Sequence, residues 1–191
     1  MEEFNFFFGF FGLLLGLSVA EMLTRLAEVI SDRRKIGWLT GLLASFVLCD
    51  ITSFYVWSWP NRADVVIDFP TLFGGLVIAG SYFIATTLVF PRVTSEEDLD
   101  KHYWLNKRFI LAGIIFANAL ISAATLWNHP PIAGDWRFYF NQSLYWLPLI
   151  ALPVSRSRRV DIALLVVLIG QYWMTVFGLL PESQWWATAV N

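Results

Sequence analysis

The sequence predicts an all-α fold: a polytopic integral membrane protein of six transmembrane helices, with both termini on the side away from the cytoplasm. Three observations carry that expectation. Of 191 residues, 57% are hydrophobic and only 15% charged, and the mean hydropathy is +0.58. Soluble domains run at about 45–50% apolar and about 25% charged, so this chain could not cover a soluble surface and lipid is its natural solvent. The apolar runs are long enough to cross a bilayer, which takes roughly 20 residues. They are also apolar nearly all round, where a soluble bundle would carry one stripe per helix. Finally, the segments 31–35, 92–108 and 155–161 hold ten of the Lys and Arg residues, whereas the alternate connections hold only Arg62 and Arg137. That asymmetry marks the basic segments as cytoplasmic.

The first span, residues 4–30, is longer than a crossing needs. Its acidic start, Glu2 and Glu3, does not suit a cleaved signal peptide, which wants positive charge there. The second, 36–59, is ended by Pro60, and the third, 71–90, is bracketed by Pro70 and Pro91. Proline is tolerated in a first helical turn and just beyond a last one. A short interfacial helix precedes the fourth span, 109–127. Ser95 caps it, Glu96, Glu97 and Asp98 suit its dipole, and Glu97 and Lys101 are spaced as an i,i+4 pair. Leu99, Tyr103 and Trp104 are then placed to rest on the headgroup layer or on a partner. The fifth span, 136–154, contains Pro148 and Pro153, which predict a kink by removing the bonds to the Leu144 and Leu149 carbonyls. The sixth, 160–180, ends before Pro181.

All six are read as one transmembrane domain over residues 1–191. Tryptophans mark both interfaces: Trp57, Trp59, Trp127, Trp136, Trp185 and Trp186 on the outer side, Trp38 and Trp104 on the inner. Spans 1–3 and 4–6 have the opposite orientations that an inverted repeat requires, but no residue pattern recurs between them.

Polar groups at membrane depth are costly and usually face a bundle interior or water. Asp50 stands out, well inside the second span. One reading makes it a group that carries protons or helps to bind a cation; the other makes it a carboxyl hydrogen-bonded to a neighbouring helix. Near the midplane lie Tyr82, Asn118 and Gln171, with Asn141, Gln142, Tyr145 and Trp146 in the fifth span. If they converge they shape a polar pathway; if not, they are interhelical bonds worth about 0.6–2 kcal/mol each. Ser18, Glu21, Arg25 and Glu28 share one stripe of the first span. Glu21 and Arg25 are spaced to pair locally, and the stripe could instead line an inner vestibule leading toward Asp50.

Several chemistries are excluded. Cys49 is the only cysteine, so no disulfide or multi-cysteine metal site forms within one chain. It reads as a small buried side chain. The six predicted spans contain no Lys to anchor a retinal Schiff base, and His102 and His129 lie outside them, so paired haem ligands are missing. P-loop, GxSxG and HExxH motifs are absent. Glu96, Asp98, Asp100 and His102 could be imagined as a metal cluster, but a solvated amphipathic helix explains them better. No cofactor, metal or nucleic-acid partner is expected; membrane topology accounts for the basic segments, with at most contact to anionic lipid.

The stretch Gly80-Ser81-Tyr82-Phe83-Ile84-Ala85 through Val89-Phe90-Pro91, then Asp98-Leu99-Asp100-Lys101-His102-Tyr103-Trp104 and Lys107-Arg108, resembles a pattern found in small bacterial inner-membrane proteins of no assigned activity. The resemblance implies a bacterial inner membrane and nothing about chemistry.

Two functions follow as expectations. The first is a small transport or ion-conducting protein in which Asp50 is the essential ionisable group and Tyr82, Asn118, Gln142 and Gln171 shape the pathway. The second is a non-catalytic membrane scaffold or sensor that docks a cytoplasmic or membrane protein through residues 92–108. An enzyme is the less favoured reading. Small faces, Gly9, Gly12 and Gly16 in the first span, Gly37, Gly41 and Ser45 in the second, and Gly113 and Ala117 in the fourth, suit close helix contact within the chain or in a homo-oligomer.

Overall fold

A computed structural model describes residues 2–32, 37–58, 68–91, 99–128 and 130–181, with side chains from residue 8 onward except those of Tyr55, Trp57, Ser58 and Asn128. Over these residues the chain is all-helical: α1 (Glu2–Ser31), α2 (Trp38–Ser58), α3 (Phe69–Val89), α4 (Leu99–Asn128), α5 (Trp136–Val154) and α6 (Arg158–Val176). The expectations for Arg33, Arg34, Lys35, Arg62, Arg92, Ser95, Glu96, Glu97, Asp98, His129, Trp59, Trp185 and Trp186 fall outside the described residues.

Three helices, α3, α4 and α6, are long and apolar enough to cross a membrane, and α2 adds a shorter apolar stretch, Trp38–Phe54. Charged side chains dilute the apolar character of α1, with Glu21, Arg25 and Glu28, and charged and amide side chains that of α5, with Arg137, Asn141 and Gln142. The core draws on every helix, through Phe11, Phe46, Ala79, Ile114, Leu149 and Leu168. Outside it, Leu13, Leu17, Ile84, Phe109, Leu147 and Val166 point away from the bundle. An apolar exterior of this extent is compatible with a surrounding bilayer.

The largest departure from expectation is the start of α4. The interfacial helix and the fourth span form one 30-residue helix beginning at Leu99. Leu99, Tyr103, Ile110, Ile114 and Ala117 are all buried, and their spacings of three, four and seven make one continuous core-facing stripe. Leu99 is 2% exposed and Tyr103 1%, so both face the bundle and are not available to headgroups. The Thr40 hydroxyl donates to the Leu99 carbonyl at 3.0 Å. The longer α4 also takes in Lys101, His102 and Lys107, so the membrane-length helices do contain lysine.

The same bonds fix the direction of the helices. Thr40 ties the start of α2 to the start of α4. His102 Nε2 meets the Leu88 carbonyl near the end of α3 at 2.9 Å, and Lys107 Nζ donates to the Ser155 carbonyl just past α5 at 2.6 Å. Successive helices from α2 to α6 therefore alternate in direction. In the middle of α4, Gly113 lets α3 close in: a Cβ there would lie 3.3 Å from the Ser81 carbonyl oxygen.

Helix ends obey local rules. The Asp68 carboxylate accepts the Thr71 N–H at 2.9 Å to cap α3, with proline in the first turn. Asp135 caps α5 by accepting the N–H groups of Arg137 and Phe138, and the helix runs on through Pro148 and Pro153. α6 stops at Val176, short of the expected 180. There Gly178 adopts φ +64°, and bonds from Gly178 N–H to Thr175 and from Leu179 N–H to Met174 close a Schellman turn.

Candidate functional site

Asp50 lies 12 residues after the start of α2 and 8 before its end, about 18 Å and about 12 Å along the axis at about 1.5 Å per residue. It is 1% exposed. Four side chains, one from each of the four following helices, donate to its carboxyl. Oδ1 accepts the hydroxyls of Tyr145 from α5 at 2.8 Å and Tyr172 from α6 at 2.5 Å. Oδ2 accepts the Tyr82 hydroxyl from α3 at 2.8 Å and the Asn118 amide from α4 at 2.9 Å. The Asn118 amide also donates to the Tyr82 hydroxyl oxygen at 3.0 Å and to the Ile114 carbonyl of its own helix.

Aromatic packing holds the phenols in place. The rings of Tyr145 and Tyr172 meet edge to face with centroids 6.4 Å apart. Phe46, one turn before Asp50 on α2, lies 6.5 Å from the Tyr172 ring.

This shell has a definite chemical meaning. An ionised carboxylate is an acceptor only, with about four lone-pair sites, and all four are filled here. A protonated carboxyl would carry a hydrogen at one of these contacts, so one donor would have to turn round or withdraw. The charge on Asp50 is thereby linked to the packing of five helices.

Of the residues named for a polar pathway, Asp50, Tyr82 and Asn118 come together, and Gln142 and Gln171 do not join them. Gln171 Nε2 donates to the Asn141 carbonyl at 3.2 Å, and Asn141 Nδ2 to the Pro181 carbonyl at 3.1 Å. Gln142 is half-buried on α5. Tyr145 completes the shell together with Tyr172, a residue the sequence reading did not single out. Glu21 and Arg25 form the local pair that their spacing predicts, 2.6 Å between Oε1 and Nη2. Glu28 lies half-buried one turn on. None of the three bonds to the Asp50 shell.

A second buried carboxylate lies in the segment 155–161, which the sequence marks only by its basic residues. Asp161, in the first turn of α6, is fully buried. Its Oδ2 accepts Lys107 Nζ at 2.6 Å and the Tyr103 hydroxyl at 2.9 Å. Lys107, 2% exposed, also donates to the Ser155 carbonyl and lies over the Trp104 ring at 4.2 Å. Arg108 Nε donates to the Pro153 carbonyl at 3.2 Å. α5 has no basic residue in its last turn; α4 supplies the cations that its exposed carbonyls favour, while Asp161 suits the start of α6.

Comparison with family models, with curated proteins and with solved structures finds no match to this chain. The functional reading therefore rests on the residues themselves. Among the described residues no group of three or more His, Cys, Asp or Glu side chains is placed to hold a metal.

Proposed function

We propose that this chain is a small multi-pass protein of the bacterial inner membrane that moves protons, alone or coupled to a solute, by protonating and deprotonating Asp50. One observation carries the reading: a lone carboxyl, buried at mid-helix, is the common acceptor for donors from α3, α4, α5 and α6. Intramembrane carboxyls are expensive and serve as proton relays in pumps and transporters.

In the proposed arrangement all six helices cross, both termini lie outside, and the Lys107 end faces the cytoplasm. Helices of 19 to 30 residues reach about 28–45 Å at about 1.5 Å per residue, against a hydrocarbon core of about 30 Å. Exposed Trp38, Trp127 and Trp136 stand at helix ends, where interfacial anchors belong. Arg108, Arg156, Arg158 and Arg159 gather at the Lys107 end, as the positive-inside bias requires.

The mechanism follows from donor counting. With Asp50 ionised, four donors draw α3 to α6 around α2. Taking up a proton removes the charge and at least one acceptor position, which loosens the set and opens Asp50 to one side of the membrane. Lys107 and Asp161 hold α4 and α6 eleven residues away from Asn118 and Tyr172 respectively. That is about 16 Å toward the cytoplasm, on the same helix faces, since eleven residues make about three turns. This ion pair keeps the inner ends of the helices closed while the centre rearranges. We favour this over the scaffold reading because two of its three docking anchors, Leu99 and Tyr103, face the core, while Trp104 is half-buried.

The test is proton flux in proteoliposomes under an imposed potential, with and without candidate solutes. Flux that disappears in Asp50→Asn supports the proposal; equal flux in the variant, or none from the wild type, rejects it.

A further inference from the structure

We infer that the groove between the first turns of α4 and the end of α5 is a binding site for an anionic phospholipid. The groove has a volume of about 590 Å³, and its lining includes Trp104, Leu105, Arg108, Phe109, Ala112 and Arg156. Apolar and cationic side chains both line it. Leu105 and Phe109 are 56% and 70% exposed and face outward from the bundle. Ala112, one turn further along, leaves room beside them. These apolar walls suit an acyl chain.

The cations share the groove: Arg108 stands on α4 between Leu105 and Phe109, and Arg156 lines it from beyond the end of α5. Lys107 at the back of the groove has its charge matched by Asp161 at 2.6 Å. The charges at the mouth are not matched: among the described residues no carboxylate pairs with Arg108 or Arg156. Arg108 is also held in place, since its Nε donates to the Pro153 carbonyl, which leaves its two terminal nitrogens available to a ligand. Two guanidinium groups lining one groove offer fork-shaped, always charged donors to phosphate oxygens. Basic pockets between helices on the cytoplasmic side are where anionic headgroups bind.

A neutral lipid would use the apolar wall and leave the guanidiniums without counter-charge. Free phosphate would use the guanidiniums and leave the wall bare. A lipid carrying a net negative headgroup meets both. The inference rests on the membrane reading of this chain but is independent of proton movement at Asp50.

The experiment titrates purified protein in mild detergent with phosphatidylglycerol, phosphatidylcholine or inorganic phosphate, following thermal stability and retained lipid by native mass spectrometry. Phosphatidylglycerol should stabilise the wild type at concentrations where phosphatidylcholine does little. Binding should weaken roughly thirty-fold in R108Q/R156Q, from two near-surface arginines at about 1 kcal/mol each. Ala112→Trp, which fills the groove and keeps both charges, should abolish lipid retention. Both changes fall at exposed positions, and unchanged helix content confirms that each variant is folded. Equal responses to the two lipids, or a phosphatidylglycerol response that survives in both variants, would overturn the proposal. So would inorganic phosphate displacing the lipid at equal concentration, which would leave an anion site only. A chain that stays monodisperse without detergent would overturn the membrane reading beneath it.

Discussion

Tyr172 donates its phenolic hydrogen to Asp50 Oδ1 across 2.5 Å, joining α6 to α2 over 122 residues of sequence. Tyr145 shares the same oxygen from α5. Two phenols on one acceptor are not independent: losing one leaves the oxygen half-served, and losing both leaves it buried and bare.

Tyr172→Phe or Tyr145→Phe alone should therefore cost about 1–2 kcal/mol, the range for one interhelical bond to a charged acceptor. The double variant should cost more than the sum, with a coupling energy of about 0.5–3 kcal/mol. Reversible unfolding in mixed micelles measures all four corners of the cycle. Additivity within about 0.3 kcal/mol would show that the two hydroxyls do not share an acceptor.

The Lys107–Asp161 pair makes a different prediction because its members are buried together. Lys107→Met strands a buried carboxylate and should destabilise by about 3–5 kcal/mol. Adding Asp161→Leu removes the stranded charge and should recover most of that loss. The same unfolding assay decides; a double variant no more stable than Lys107→Met would remove the pair from the account.

Glycine positions separate packing within the chain from packing between chains. Gly113→Val pushes a side chain at the Ser81 carbonyl, where even a Cβ would sit at 3.3 Å, and should cost about 1–3 kcal/mol by overpacking. Gly16 has nothing within 4 Å of an added Cβ, so Gly16→Val should leave monomer stability within about 0.5 kcal/mol. Light scattering on the two variants then reports whether the α1 face serves a homo-oligomer.

Asp68, the cap before α3, adds a pH dependence. Thr71, through its hydroxyl and its backbone N–H, holds the Asp68 carboxyl below the ordinary carboxylate range. A folded-state pKa lowered in this way gives stability that is present above the unfolded value, about 3.9, and is lost as pH falls through the folded one. Wild type should thus lose Tm relative to Asp68→Asn as the pH is lowered below about 4. Parallel Tm curves for the two proteins down to the lowest accessible pH would contradict the cap.

The sequence carried the helical class and singled out Asp50, because a charge inside an apolar run is conspicuous. Part of its shell was legible for the same reason: Tyr82 and Asn118 are polar and at depth. Gln171 drew notice where its neighbour Tyr172 does the bonding, since one residue turns a helix by about 100° and composition does not report facing. Gln142 and Tyr145 lie three apart, on nearby faces, and the longer phenol reaches Asp50. A signal was available. Tyrosine gathers at membrane interfaces, and one inside a predicted span needs a partner for its hydroxyl; Tyr82, Tyr145 and Tyr172 all lie inside predicted spans. The start of α4 was hidden by its polar residues, His102, Asn106 and Lys107, which read as a connector although Leu99 and Tyr103 already continue the stripe of Ile110 and Ile114. Lys107 and Asp161 lie 54 residues apart, in segments that charge counting assigns to separate loops, and only their helices bring them together.

The central claim is that Asp50 exchanges a proton and that its shell responds. Infrared difference spectroscopy on lipid-reconstituted protein tests this most directly, by following the carboxylic-acid C=O stretch as pH is varied while hydrogen exchange reports on α3–α6. The account predicts a band that grows as pH falls, is absent in Asp50→Asn, and rises in step with faster exchange around Tyr82, Asn118, Tyr145 and Tyr172. A spectrum with no Asp50-dependent band across the pH range in which the protein stays folded would contradict it.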